Sequence, residues 1–207
     1  MKNPTRKVSL KDGIIKQNVV LMSGLFTAPV VAASTSTITA AAICAAFSLI
    51  TLFSAAICCY LPRKIVFAVK IALYAIISSV IYIPVMLLMN SVFTVDTIAA
   101  VGIYLPIIIT NPLILSKTES RFSLRPFKYM LKDLIGFILG FDLACLLVGI
   151  IRDILVNNSI GNFRMSLPFT MPALSTCFGG FILVGLLAGI VRGLYNRSKN
   201  KRKVRKN

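Results

Sequence analysis

Asp142 sits inside LIGFILGFDLACLLVGII, a run at 134–151 in which every other residue is apolar or glycine. If that run crosses a bilayer, inserting a carboxyl group there costs at least ~2.5 kcal/mol. A residue kept at such a cost belongs to an ion path or to a polar pair. Lys70 is the one basic residue well inside an apolar segment, about 9 Å from that segment's inner end by helical rise. Two readings stay open for it. Its ammonium snorkels to the cytoplasmic surface, or it pairs with Asp142. The five cysteines Cys44, Cys58, Cys59, Cys145 and Cys177 form no C-x-x-C pair, and the chain has no histidine. That combination argues against a zinc site and leaves the thiols as small apolar side chains. No nucleophile–base pair is evident, so the chain is not expected to be catalytic alone.

The elements that must position Asp142 and Lys70 follow from composition. The chain is 57% hydrophobic and 14% charged, with a mean hydropathy of +0.86. Soluble domains carry about a quarter charged residues. A spanning helix needs about 20 apolar residues, and six stretches qualify: 19–34, 38–60, 65–89, 97–115, 134–156 and 174–194. The first is short and carries Gly24 and Pro29, and the fourth carries Pro106 and Pro112. The segment 157–173 is polar, punctuated by Pro168 and Pro172, and reads as a loop.

The net charge of +17 would suit a nucleic-acid binder, but its distribution does not. Lys2, Arg6, Lys7, Lys11 and Lys16 precede the first stretch, and Arg63 with Lys64 follow the second. Lys117, Arg121, Arg125, Lys128 and Lys132 follow the fourth, and eight more basic residues lie from Arg192 onward. The alternate connections hold Arg152 and Arg164 alone. The positive-inside rule then places both termini in the cytoplasm. Residues 1–18 lack the apolar core of a removable signal peptide and are expected to form a basic cytoplasmic segment. The tail at 195–207 is expected to hold anionic lipid, at about 1 kcal/mol per basic residue near the surface.

An odd number of spans per half gives the halves opposite orientations. Each half, 19–89 and 95–194, opens with an interrupted helix. That is the pattern of inverted-repeat membrane proteins, which work at the midplane between repeats. The competing reading is a simple bundle that tolerates proline. Small residues spaced by four, such as Gly24 with Ala28, Gly136 with Gly140 and Gly185 with Gly189, allow close helix contact. Asp142 is expected on the interior face, whereas Asp153, at the outer end of the same helix, is expected to be almost indifferent to substitution.

Three stretches resemble a known family. DGIIKQNVVLMSGLFTAPVVAAS at 12–34 includes Asn18 and Pro29, and VGIYLPIIITNPLILSKTESRF at 101–122 includes Pro106, Thr110, Asn111 and Glu119. KDLIGFILGFDLACLLVGIIRDIL at 132–155 includes Gly136, Gly140, Phe141, Gly149 and Arg152. Together these resemble the E subunit of the Rnf electron-transport complex, called the D subunit in the sodium-pumping quinone reductase. The resemblance implies an all-α integral membrane protein of six transmembrane helices, built as two inverted three-helix repeats with helices 1 and 4 interrupted. It implies a homologous partner subunit of opposite orientation, other Rnf-like subunits, and a bacterial or archaeal plasma membrane. It also implies a two-iron cluster held at mid-membrane by two cysteines from each homologue.

At the two cluster positions this chain has Ala28 and Pro112. Iron–sulfur clusters need thiolates, and neither residue supplies one. The other cysteines lie at scattered expected depths, with Cys44 and Cys177 near outer helix ends and Cys145 near a middle. No cluster is therefore expected in this chain. The resemblance implies a membrane subunit of a redox-driven sodium or proton translocase, as a cluster-free paralogue. The alternative is the membrane subunit of a small-solute or vitamin transporter.

Overall fold

A computed structural model describes residues 13–14, 18–62, 65–111, 113–114, 127–161, 163–164 and 168–204, with the side chains of 164 and 199–204 excepted. Lys2, Arg6, Lys7, Lys11, Lys16, Arg63, Lys64, Pro112, Lys117, Glu119, Arg121 and Arg125 lie outside the described residues. The helices are α1 (Thr27–Ala32), α2 (Thr37–Cys58), α3 (Phe67–Val92), α4 (Val95–Val101), α5 (Tyr104–Ile107), α6 (Phe127–Arg152) and α7 (Cys177–Val204). Among the described residues four helical stretches are long and apolar enough to span a bilayer: Thr37–Cys58, Phe67–Val92, Phe127–Asn157 and Cys177–Ser198. The chain is thus a multi-pass membrane protein.

The two proline-bearing segments do not form long helices. In the first, turns over Val19–Phe26 lead into the six-residue α1. Phe26 takes a left-handed backbone conformation (φ 60°), which costs a non-glycine residue about 1–3 kcal/mol. Its ring is anchored against Phe47 and Phe141, with centroids 5.6 and 5.8 Å away. In the second, α4 ends at Gly102 (φ 51°), and α5 runs straight into a 3₁₀ turn over Ile108–Thr110. The expected spans 19–34 and 97–115 are therefore broken segments.

The long helices begin where the sequence caps them. Ser36 and Thr39 form a capping box at the start of α2, each side chain bonding the other's backbone N–H at 3.2 and 3.0 Å. The capping box satisfies donors that an unpaired helix terminus would bury. Helix α6 starts at Phe127 and not at Leu134, and its last turn widens into a π-helical turn over Asp153–Asn157. The segment read as a loop holds a two-residue antiparallel ribbon, Ser159–Ile160 with Phe163–Arg164, and a 3₁₀ turn over Pro172–Ser175.

Helices α2 and α6 form the centre of the molecule. Over half of each apolar window is buried (56%), against 17% for α3 and α7. They run antiparallel: Thr37 meets Asp153, Ala40 meets Gly149 and Cys145, Cys44 meets Asp142, and Phe47 meets Phe141. Gly149 permits the close approach, since a Cβ there would lie 2.5 Å from Ala40 Cβ. Farther along α6, a Cβ on Gly140 would lie 2.8 Å from the Gly13 carbonyl oxygen. The pair Gly136–Gly140 therefore does receive a neighbouring segment, residues 13–14. By contrast, none of the described residues lies within 4 Å of a Cβ built on Gly185 or Gly189.

Candidate functional site

Asp142 is the central residue of Phe127–Asn157. It lies about 22 Å along the helix from Phe127, farther than the ~12 Å expected from a start at Leu134. Its Oδ2 accepts a hydrogen bond from Ser48 Oγ at 2.7 Å, and Ser48 is itself near the middle of α2. Oδ1 is buried and has no hydrogen-bond partner among the described residues. The Ser48 and Asp142 side chains follow Phe47 and Phe141, whose rings stack with centroids 3.8 Å apart and planes 22° from parallel. AFSLITL at 46–52 and GFDLACL at 140–146 are thus similar stretches that cross at their matching Phe47–Phe141 and Ser48–Asp142 pairs. That short internal similarity is the signal that would have identified Ser48.

Lys70 is buried at 7% exposure on the first turn of α3, and Tyr74 and Ser78 continue the buried face. It is not the partner of Asp142, whose hydrogen-bonding contact is Ser48. The two candidate polar residues are therefore not brought together by the structure.

The cysteines are less scattered than helix ends drawn from hydropathy suggested. Cys44 and Cys145 interact across the α2–α6 crossing, where Cys44 Sγ approaches the Asp142 carbonyl at 3.6 Å and Cys145 Sγ the Ala40 carbonyl at 3.9 Å. The reason is the early start of α6, which moves Cys145 outward along its helix by several residues. Two thiols equal one homologue's share of a two-iron cluster, but Cys44 and Cys145 lie on α2 and α6, and not at positions 28 and 112 where the resemblance puts the ligands. Among the described residues no group of three or more cysteine or carboxylate side chains is placed to hold a metal ion. Ala28 is exposed on α1, and Pro112 lies outside the described residues. Neither of these two positions offers a thiolate to a cluster.

Two buried asparagines tie the broken segments to the central helices. Asn18, on the first, donates from Nδ2 to the Gly140 carbonyl at 2.7 Å and accepts from the Val20 and Leu21 amides at 3.0 and 2.9 Å. Asn111, on the second, donates to Thr51 Oγ1 at 2.8 Å and accepts from the Leu113 amide at 2.9 Å. Each amide thus satisfies backbone groups freed by a break, which buried backbone requires, and crosses to α6 or α2 respectively.

The outer end of α6 holds a second polar cluster. Arg152, fully buried, donates Nε to Leu174 O and Nη2 to Ser175 O, both at 2.8 Å, and Nη1 to Val31 O. Longer bonds of 3.3 Å reach Ser34 O and Thr176 O. Its planar fork pins the end of α1 to the turn before α7. Asp153 faces the other way. Its carboxylate accepts from the Thr37 hydroxyl (2.8 Å), the Thr37 amide (3.2 Å), Asn157 and Ser159 (both 3.0 Å), and the Gly161 amide (2.9 Å). A carboxylate at the first turn of α2 also complements the helix dipole. The expectation that Asp153 is indifferent is thereby overturned. Arg152 is not a free loop charge either. At the other end, Arg192 donates to the Leu21 and Met22 carbonyls at 3.1 and 3.0 Å, tying α7 to the first break.

Comparison with known proteins completes the description. The family model described as "Rnf-Nqr subunit, membrane protein" matches residues 7–190. The chain is 32% identical over 194 residues to the E subunit of the Na(+)-translocating ferredoxin:NAD(+) oxidoreductase complex of Acetobacterium woodii, covering 92% of this chain and 95% of that one. It is 26% identical over 203 residues to the E subunit of the ion-translocating oxidoreductase complex of Pasteurella multocida, covering 91% and 90%. It is 34% identical over 107 residues to the E subunit of the proton-translocating ferredoxin:NAD(+) oxidoreductase complex of Clostridium ljungdahlii, covering 51% and 50%.

Proposed function

Because this chain belongs to the Rnf-Nqr family of membrane subunits, we propose that it is a membrane subunit of an electron-transport complex that couples redox chemistry to ion translocation. The match to the E subunits of such complexes along nearly the full length of both chains carries this reading. Its partners are the other subunits of that complex, including a homologous membrane subunit of opposite orientation. It resides in the plasma membrane of a bacterium or archaeon, with both termini cytoplasmic, a reading the distribution of basic residues supports. The basic tail contacts anionic lipid.

The architecture is two inverted three-helix repeats, the broken segments serving as helices 1 and 4. Three observations support it: the antiparallel packing of α2 on α6, the similarity of 46–52 to 140–146, and the two asparagines that tie each break to a central helix. The chain is the cluster-free member of its pair, since Ala28 and Pro112 offer no thiolate. Asp142 and Lys70 are separate intramembrane polar positions.

Affinity purification of the tagged chain from its native membrane tests the assignment. Stoichiometric recovery of further Rnf-like subunits is the expected result. Recovery with an energising ATPase and no redox subunits would replace it with a transporter.

A further inference from the structure

We propose that Ser48 and Asp142 form a proton-binding station at the centre of the membrane, supplied from the groove between α3 and the second broken segment. This deepens the preceding reading, which supplies only the use to which the proton is put.

The station rests on its unequal oxygens. Oδ2 is held by Ser48, whereas Oδ1 is buried without a hydrogen-bond partner among the described residues. A charged oxygen removed from water and left unpaired is costly. A proton adding to its lone pair removes that cost and leaves from the same atom. Only an O–H bond forms and breaks, and no electron changes hands. The donor set selects the proton over a metal cation. Sodium, like calcium and magnesium, is a hard cation that needs several oxygen ligands, and here the side chains are one carboxylate, one hydroxyl and the thiols of Cys44 and Cys145. Those two thiols are the titratable groups facing Asp142 from α2 and α6.

The supply route follows from the hydroxyls. A half-open groove of about 80 Å³ lies between α3 and the break; its wall is mostly apolar (Ile71, Ala75, Ile109, Ile114), and Tyr74, Ser78, Thr110 and Asn111 are the polar residues on it. Ser78 Oγ is buried there without a partner among the described residues. A water at the inner wall, within reach of Ser78, Asn111 and Tyr74, would satisfy this hydroxyl, and the volume exceeds the ~10–15 Å³ that one water needs. Asn111 passes from this groove to Thr51 Oγ1 at 2.8 Å. Thr51 is three residues from Ser48, a rise of about 4.5 Å along α2. Ser54 Oγ, one turn farther on, is a second buried hydroxyl without a partner among the described residues. Ser78, Asn111, Thr51, Ser48 and Asp142 thus follow one another, with Asn111–Thr51 and Ser48–Asp142 joined by direct hydrogen bonds and the two remaining steps left to water.

Labelling with dicyclohexylcarbodiimide tests the station on the purified full chain in lipid nanodiscs. The reagent is attacked by a protonated carboxyl in an apolar site, and its N-acylurea adduct is located by mass spectrometry. Asp142 should be labelled, and labelling should fall about tenfold per pH unit above its midpoint, as the protonated fraction does. Ser48→Ala removes a hydrogen bond to the carboxylate and should move the midpoint upward. The route is tested by infrared spectroscopy of the protonated carboxyl band after transfer to heavy water. Its shift should be slower in Ser78→Val than in the wild type. Absent or pH-independent labelling overturns the station. Protection by sodium at constant pH assigns it to a metal cation instead, and an unchanged exchange rate in Ser78→Val overturns the route. None of these outcomes depends on which proteins co-purify.

Discussion

Ser48 Oγ donates to Asp142 Oδ2 at 2.7 Å, and the phenylalanines that precede these two residues stack on each other. The contact joins the midpoints of the two most deeply buried helices. The intramembrane acid of α6 is therefore part of the α2–α6 interface and is not a lone charge turned toward lipid.

A double-mutant cycle measures that contact. Ser48→Ala and Asp142→Asn should each lower thermal stability in detergent, with a coupling of about 0.5–2 kcal/mol, the range of hydrogen bonds between membrane helices. Lys70→Met should add to Asp142→Asn without coupling. A large Lys70–Asp142 coupling in the same assay would show that the ammonium reaches the carboxylate.

Asp153→Asn should destabilise the chain by roughly 1–3 kcal/mol, because an amide cannot accept all five of the bonds the carboxylate accepts. Asp96→Asn, on the exposed first turn of α4, should cost no more than about 1 kcal/mol, the scale of a helix-dipole contact. Thermal unfolding of both variants decides the comparison, and equal midpoints would contradict the geometry at Asp153.

Arg152→Lys should be destabilising despite keeping the charge. An ammonium has three donors and cannot reproduce the planar fork that joins Val31, Leu174 and Ser175. The loss should appear as faster proteolysis of the segment between α6 and α7. Full resistance would show that the charge alone suffices.

Gly149→Val should prevent normal packing of α2 on α6, because its Cβ would overlap Ala40. Gly185→Val, with none of the described residues near its Cβ, should leave yield and melting unchanged in the isolated chain. Gel filtration and thermal unfolding separate the two.

Purified alone, the chain should carry no stoichiometric iron or acid-labile sulfide. Two iron atoms per chain, with a cluster absorption spectrum, would show that cysteines other than those expected at positions 28 and 112 provide ligands.

Much of this protein was legible in its residues alone. Runs of apolar residues long enough to cross a bilayer, and the placement of Lys and Arg between them, reflect transfer free energies that act residue by residue. Gly24, Pro29 and Pro106 lie in the two broken segments for an equally local reason, the backbone freedom of glycine and the missing N–H of proline. The family resemblance at 12–34, 101–122 and 132–155 was likewise a property of the string, as was the absence of thiols at 28 and 112. What the string left undecided was every relationship across helices. Hydropathy has no register, so a helix start displaced from 134 to 127 went unseen, and with it the meeting of Cys44 with Cys145. Ser48 is inconspicuous in an alanine-rich helix until α6 is laid antiparallel against it. Asp153 reads as a surface acid until Thr37, Asn157, Ser159 and Gly161 converge on it. Partners of that kind are chosen by packing, because a buried polar group takes whichever donor the neighbouring backbone brings within reach, and that choice exists only in the folded chain.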